Sequence, residues 1–85
     1  MENLKARLSV KGAKCDLQFS TKERAFFEAE AGFTDEEITV FRLRSRGFSV
    51  VRIARELEDM YGHYYSISTV EARIRSIKSK ILHIL

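Results

Sequence analysis

The stretch Phe33-Thr34-Asp35-Glu36-Glu37-Ile38-Thr39-Val40-Phe41-Arg42-Leu43-Arg44-Ser45-Arg46-Gly47-Phe48-Ser49-Val50-Val51-Arg52-Ile53-Ala54-Arg55-Glu56-Leu57 decides the fold. It divides at Gly47. Before the glycine, Thr34 stands three residues ahead of Glu37, the spacing of a capping box, in which a hydroxyl and a carboxylate satisfy amides left unpaired at a helix start. Val40, Phe41 and Leu43, with Ile38 beside them, follow at helical spacing. After the glycine, Ser49 is placed to cap a second helix, whose apolar face is Ile53, Ala54, Leu57 and Met60. Gly47 can take the left-handed conformation that closes a helix. Two helices are therefore predicted, over about 35–46 and from Ser49 to about Met60 or Tyr61, the second stopping at Gly62. Phe33 and Phe48, just before the two starts, are placed to fold back as hydrophobic staples.

Working outward, Ser20-Thr21-Lys22-Glu23 is another capping box, opening a helix over about 21–31 that Gly32 ends. Ser68-Thr69-Val70-Glu71 is a third, and a helix is predicted to start after Ser68 and run toward the C-terminus. There Val70, Ile74, Ile77, Ile81 and Ile84 recur in steps of 4, 3, 4 and 3, which defines one buried face. Leu8, Val10, Ala13, Cys15, Leu17 and Phe19 alternate with polar residues around Lys11-Gly12. That alternation fits a short β-hairpin, and a flexible basic arm fits equally well. The expectation is an all-α fold, a helix-turn-helix three-helix core with an additional N-terminal helix. Residues 1–19 form an arm or hairpin and 20–85 the helical domain.

The composition agrees with one small domain. Eighty-five residues, 45% hydrophobic and 32% charged, allow one modest core and exclude a disordered tail. Cys15 is the only cysteine, so an internal disulfide and a cysteine-based zinc site are excluded. His63 and His83 lie far apart and have no partner at metal-ligand spacing, so no metal and no cofactor are expected. No apolar run is long enough for a transmembrane helix, and Met1 to Val10 lacks the apolar core of a secretory signal. A cytoplasmic location is the expectation. No nucleophile–base motif and no glycine-rich phosphate loop is present, so no catalytic residue is assigned and the chain is not read as an enzyme.

The charge distribution says more than the net charge of +3. Residues 1–37 hold six Lys/Arg against eight Asp/Glu, whereas residues 38–85 hold nine against four. Two windows of the basic part contain no acid. One carries Arg42, Arg44, Arg46, Arg52 and Arg55; the other carries Arg73, Arg75, Lys78 and Lys80. A polyanionic partner accounts for such polarity, and so does solvated helix surface.

Residues 33–57 resemble the LuxR/GerE-type helix-turn-helix output domain, which typically opens with Leu-Thr-x-x-Glu, continues through Val-Leu-x-Leu to Gly-Leu-Ser, and then reads Ile-Ala-x-x-Leu. Thr69-Val70, Ile74, Ile77 and Lys80-Ile81 are similar to its recognition helix. The plan is also similar to region 4 of sigma factors. The resemblance implies sequence-specific binding of double-stranded DNA by a transcriptional regulator, with the last helix in the major groove. It also admits RNA polymerase or another protein as a partner, and a homodimer. The chain departs from the pattern in three places: a lengthened loop between Leu57 and Val70, Glu71 where the family has Lys, and no counterpart of the family's fourth helix.

Helical geometry, at about 100° per residue, then sorts the last helix. Opposite the Ile face lie Ala72, Arg75, Ser76 and Ser79, with Thr69 and Glu71 nearer the flanks. Arg75 is placed to pair with guanine O6/N7, Ala72 to touch a thymine methyl and Glu71 to accept from cytosine N4. Arg73, Lys78 and Lys80 flank the strip and, with Arg52 and Arg55 on the preceding helix, are the expected phosphate contacts. If about four of these engage, the slope of log K against log salt is roughly −3.6. Tyr61, His63, Tyr64 and Tyr65 form either a wing-like loop against the backbone or, as the sequence favours, a cover over the core. Two other functions fit the same scaffold. Val50, Val51 and Ile38, apolar where the family is polar, suit a protein-interaction module. DNA recognition within a phage packaging complex is the other. Leu82 and Leu85, off the main stripe, suit a dimer contact or the core.

Overall fold

The computed structural model describes residues 19–85. Within them the fold is all-α, with four helices and no strand: α1 (Thr21–Glu30), α2 (Asp35–Ser45), α3 (Val50–Tyr61) and α4 (Ile67–Ile84). The hairpin or arm expected over 1–19 falls outside the described residues, apart from Phe19. That side chain belongs to the helical domain: it is buried, its ring edge-on to Phe27 at 4.9 Å and 6.1 Å from Phe41.

The predicted caps organise the first three helices. Ser20 and Thr34 each complete a capping box, with Glu23 and Glu37 as the returning carboxylates. Ser49 caps α3 by accepting from the Arg52 amide. The α2–α3 turn is built on Gly47 at φ +87°. Its amide donates to the Arg44 carbonyl at 2.9 Å, and the Arg44 guanidinium donates to the Phe48 carbonyl at 3.0 Å, bracing the turn from both sides. α3 ends at Gly62, φ +76°, whose amide returns to Glu58.

The fourth helix begins earlier than predicted. Its N-cap is Ser66, whose Oγ accepts from the Thr69 amide at 3.1 Å, and Ser68 lies inside the first turn. The residue before the cap explains the choice. A cap at Ser66 places Tyr65 and Val70 at the two staple positions, and both are core residues. A cap at Ser68 would place Ile67 and Ala72 there, and Ile67 is exposed. The lengthened loop is likewise mostly helix: α3 runs to Tyr61 and α4 starts at Ile67, leaving Gly62–Ser66 as the connection.

The core is shared by α2, α3 and α4, which pack on one another, with Phe27 and Phe19 added from the α1 region. Val70, Ile74, Ile77 and Ile81 are fully buried, as the stripe predicts. Two expectations change. Met60, assigned to the core by spacing, is 56% exposed, in a last turn of α3 where residues 58–61 are all exposed. Val50, considered as a partner surface, packs against the core, whereas its neighbour Val51 is 53% exposed. Leu85 also packs against the core, and Leu82 stays at the surface. Among the described residues no helix is long and apolar enough to cross a membrane.

Candidate nucleic-acid interface

α4 presents three different sides. The inward side is the Val/Ile stripe. One flank carries Thr69, Arg73, Ser76 and Lys80, in steps of 4, 3 and 4 parallel to that stripe. The remaining surface carries Glu71, Ala72, Arg75, Lys78 and Ser79.

The polar flank lies against the start of α2. Glu37 is buried, and its carboxylate takes three donors, with a fourth bond made by its own amide. Oε1 accepts from the Thr34 amide at 2.9 Å and from Lys80 Nζ, while Oε2 accepts from Ser76 Oγ at 2.6 Å. The fourth link is reciprocal, since the Glu37 amide donates to Thr34 Oγ1. Lys80 also donates to the Gly32 carbonyl at 3.3 Å. One residue earlier, Glu36 is paired with Arg73 and accepts from the Tyr65 hydroxyl at 2.8 Å. A cleft of about 310 Å³ lies over this network, lined by Thr34, Glu36, Glu37, Arg73 and Ser76.

The electrostatics follow from these contacts. Burial raises the Glu37 pKa, but the bonds from Lys80, Ser76 and the Thr34 amide outweigh it and bring it down to about 2. The Arg73 bond holds Glu36 below the usual carboxylate value against its burial, and Glu36 in turn raises Arg73. Burial, reinforced by the Glu36 carboxylate, pushes the Tyr65 hydroxyl up to about 12. Arg73, Ser76 and Lys80, expected as DNA contacts, are thus drawn into the fold. Thr69 is half-buried with its hydroxyl 2.9 Å from the Ser66 cap.

The outer surface is different. Arg75 and Ser79 are exposed, and Arg75 makes no ion pair among the described residues. Ala72, Glu71 and Lys78 are half-buried. On α3, Arg52 and Arg55 are exposed, and the Arg52 guanidinium lies 4.0 Å over the Phe48 ring, which steadies it beside the helix start.

The tyrosine-rich connection divides. Tyr65 is a core residue, with the His63 ring stacked on it at 4.5 Å. Tyr61 is held by a 3.2 Å contact between its hydroxyl and Thr39 Oγ1. Tyr64 is the most exposed of the three tyrosines, at 76%, and Tyr61 and His63 are exposed as well. Covering the core is therefore the role of Tyr65.

The sequence presented Glu36 and Glu37 only as helix-start acids. The signal that identifies them as anchors is the second stripe of α4, polar side chains at the same spacing as the Ile face, which needs a polar surface opposite it. Comparison with protein-family models finds no match, and neither do comparisons with curated proteins and with solved structures.

Proposed function

We propose that the chain is a non-enzymatic, sequence-specific binder of double-stranded DNA that seats the outer strip of α4 in the major groove. The observation that carries this is the division of α4. Its inner side and one flank are consumed by the fold, leaving a strip of small residues, Ala72 and Ser79, around one exposed cation, Arg75. Small side chains let a helix approach base edges, and arginine reads guanine bidentately. Arg52, Arg55 and Lys78 supply phosphate contacts, and Glu71 at the edge of the strip selects for cytosine N4. A transcriptional regulator of the LuxR/GerE or sigma region 4 kind is the role that suits this arrangement. The alternative is a protein-interaction module, favoured by the exposure of Val51 at the start of α3.

The test is Arg75→Ala against a selected duplex and a scrambled one, with folding checked by circular dichroism. Loss of about 1–3 kcal/mol on the selected site, and little on the scrambled one, is expected. Equal weakening on both would make Arg75 a phosphate contact. No binding by the native chain to any duplex would favour the interaction module.

A further inference from the structure

A second surface lies away from the outer strip of α4. A groove of about 180 Å³ runs between α2 and the last turn of α3, lined by Thr39, Arg42, Leu43, Arg46 and Met60. The four α2 residues form one helical stripe, at steps of 3, 1 and 3. The floor is apolar: Leu43 is buried, and Met60 is more than half exposed although its spacing on α3 marks a core position. The end of the groove is fixed by Tyr61, tied to Thr39. Its rim is cationic. Arg46 is exposed with no side-chain partner among the described residues. Arg42 gives Nε and Nη2 to Glu28 Oε1 and keeps its other N–H donors. No carboxylate lines the groove.

We infer that this groove docks an acidic segment of another protein, whose large apolar side chain packs on Met60 and Leu43 while its carboxylates pair with Arg46 and Arg42. An unbranched thioether adapts to the shape of an incoming side chain. Arginine forks match carboxylates bidentately, and Arg and Met are enriched where protein partners meet. A nucleic-acid backbone would satisfy the arginines but would gain nothing from Met60, so the apolar floor favours a protein segment. The groove shares no residue with the proposed DNA contacts, and its occupancy does not depend on them.

The full chain, isotope-labelled, is titrated with a short synthetic peptide in which one phenylalanine is flanked by glutamates. Two control peptides carry lysines for the glutamates, or serine for the phenylalanine. A random-sequence duplex is titrated separately. The glutamate–phenylalanine peptide is expected to shift the Met60 and Leu43 methyl resonances and the Arg46 amide saturably, with both controls about tenfold weaker or worse. Arg46→Glu and Met60→Ser are each expected to weaken the peptide about tenfold while leaving the other resonances in place, since both side chains are exposed. Absence of a saturable shift at Met60 and Leu43, equal binding of the lysine peptide, or indifference to Arg46→Glu would overturn the inference. A duplex that shifts Met60 and Arg46 as strongly as the peptide would also overturn it, and would give the groove to nucleic acid.

Discussion

Glu37 is the buried charged side chain among the described residues, and its acidity makes it the main pH-sensitive element of the fold. Its pKa falls from 4.5 to about 2 on folding, so its contribution is fully present above pH 4.5 and is lost as pH falls from there toward 2. A shift of that size corresponds to about 3 kcal/mol. Glu36 shifts in the same direction and adds to the acid sensitivity. Glu37→Gln keeps the shape but removes the charge, leaving Lys80 without its counter-ion. Denaturant unfolding should show the variant less stable than the native chain by about 3 kcal/mol near neutral pH. The difference should close as pH falls through about 2, where the native carboxyl itself takes up its proton. A gap that stays constant across that range would mean the carboxylate is not what the network stabilises.

At the scale of elements, the caps carry the sharpest distinction. Ser66 accepts the Thr69 amide and Ser68 does not cap α4. Ser66→Ala should therefore cost about 1 kcal/mol, while Ser68→Ala, on the exposed side of the first turn, should change the melting temperature little. The reverse order in thermal unfolding would restore the cap at Ser68. Gly47 makes the other test. At φ +87° a β-branched side chain is strained, so Gly47→Val should cost at least about 1–2 kcal/mol, a fall of several degrees in Tm. An unchanged Tm would place the stop of α2 elsewhere. These two elements also mark how far the sequence could be read. The Ile stripe, the Thr34–Glu37 box and Gly47 all act through near neighbours, and local spacing revealed them. The start of α4 did not yield to local spacing, because two serines offered the same hydroxyl and the choice between them rests on the burial of Tyr65. Met60 fails for a related reason: periodicity places it in line with Ile53 and Leu57 but does not say whether another element covers the last turn of α3.

At the scale of the whole molecule, the candidate interface was legible in outline and not in membership. Helical angle placed Arg75, Ala72 and Ser79 outward; Arg75 and Ser79 are exposed and Ala72 is half-buried. It put Ser76 in the strip and Arg73 and Lys80 on its flanks, and it could not show that all three bond to α2, because their partners are about forty residues away in sequence. That separation has a measurable outcome. If Arg52, Arg55 and Lys78 make the phosphate contacts while Arg73 and Lys80 keep their carboxylates, the slope of log K against log salt should be roughly −2.7. A slope near zero would sink the electrostatic proposal. A slope of roughly −3.6 or steeper would mean that Arg73 or Lys80 leaves its carboxylate for DNA. The split of α4 also bears on re-engineering. Along this helix the letters that spell the fold and those free to spell a target alternate within every turn. Grafting a whole helix from another binder would erase the α2 latch along with the old specificity. A combinatorial library confined to Ala72, Arg75 and Ser79 would vary the second text and leave the first unedited.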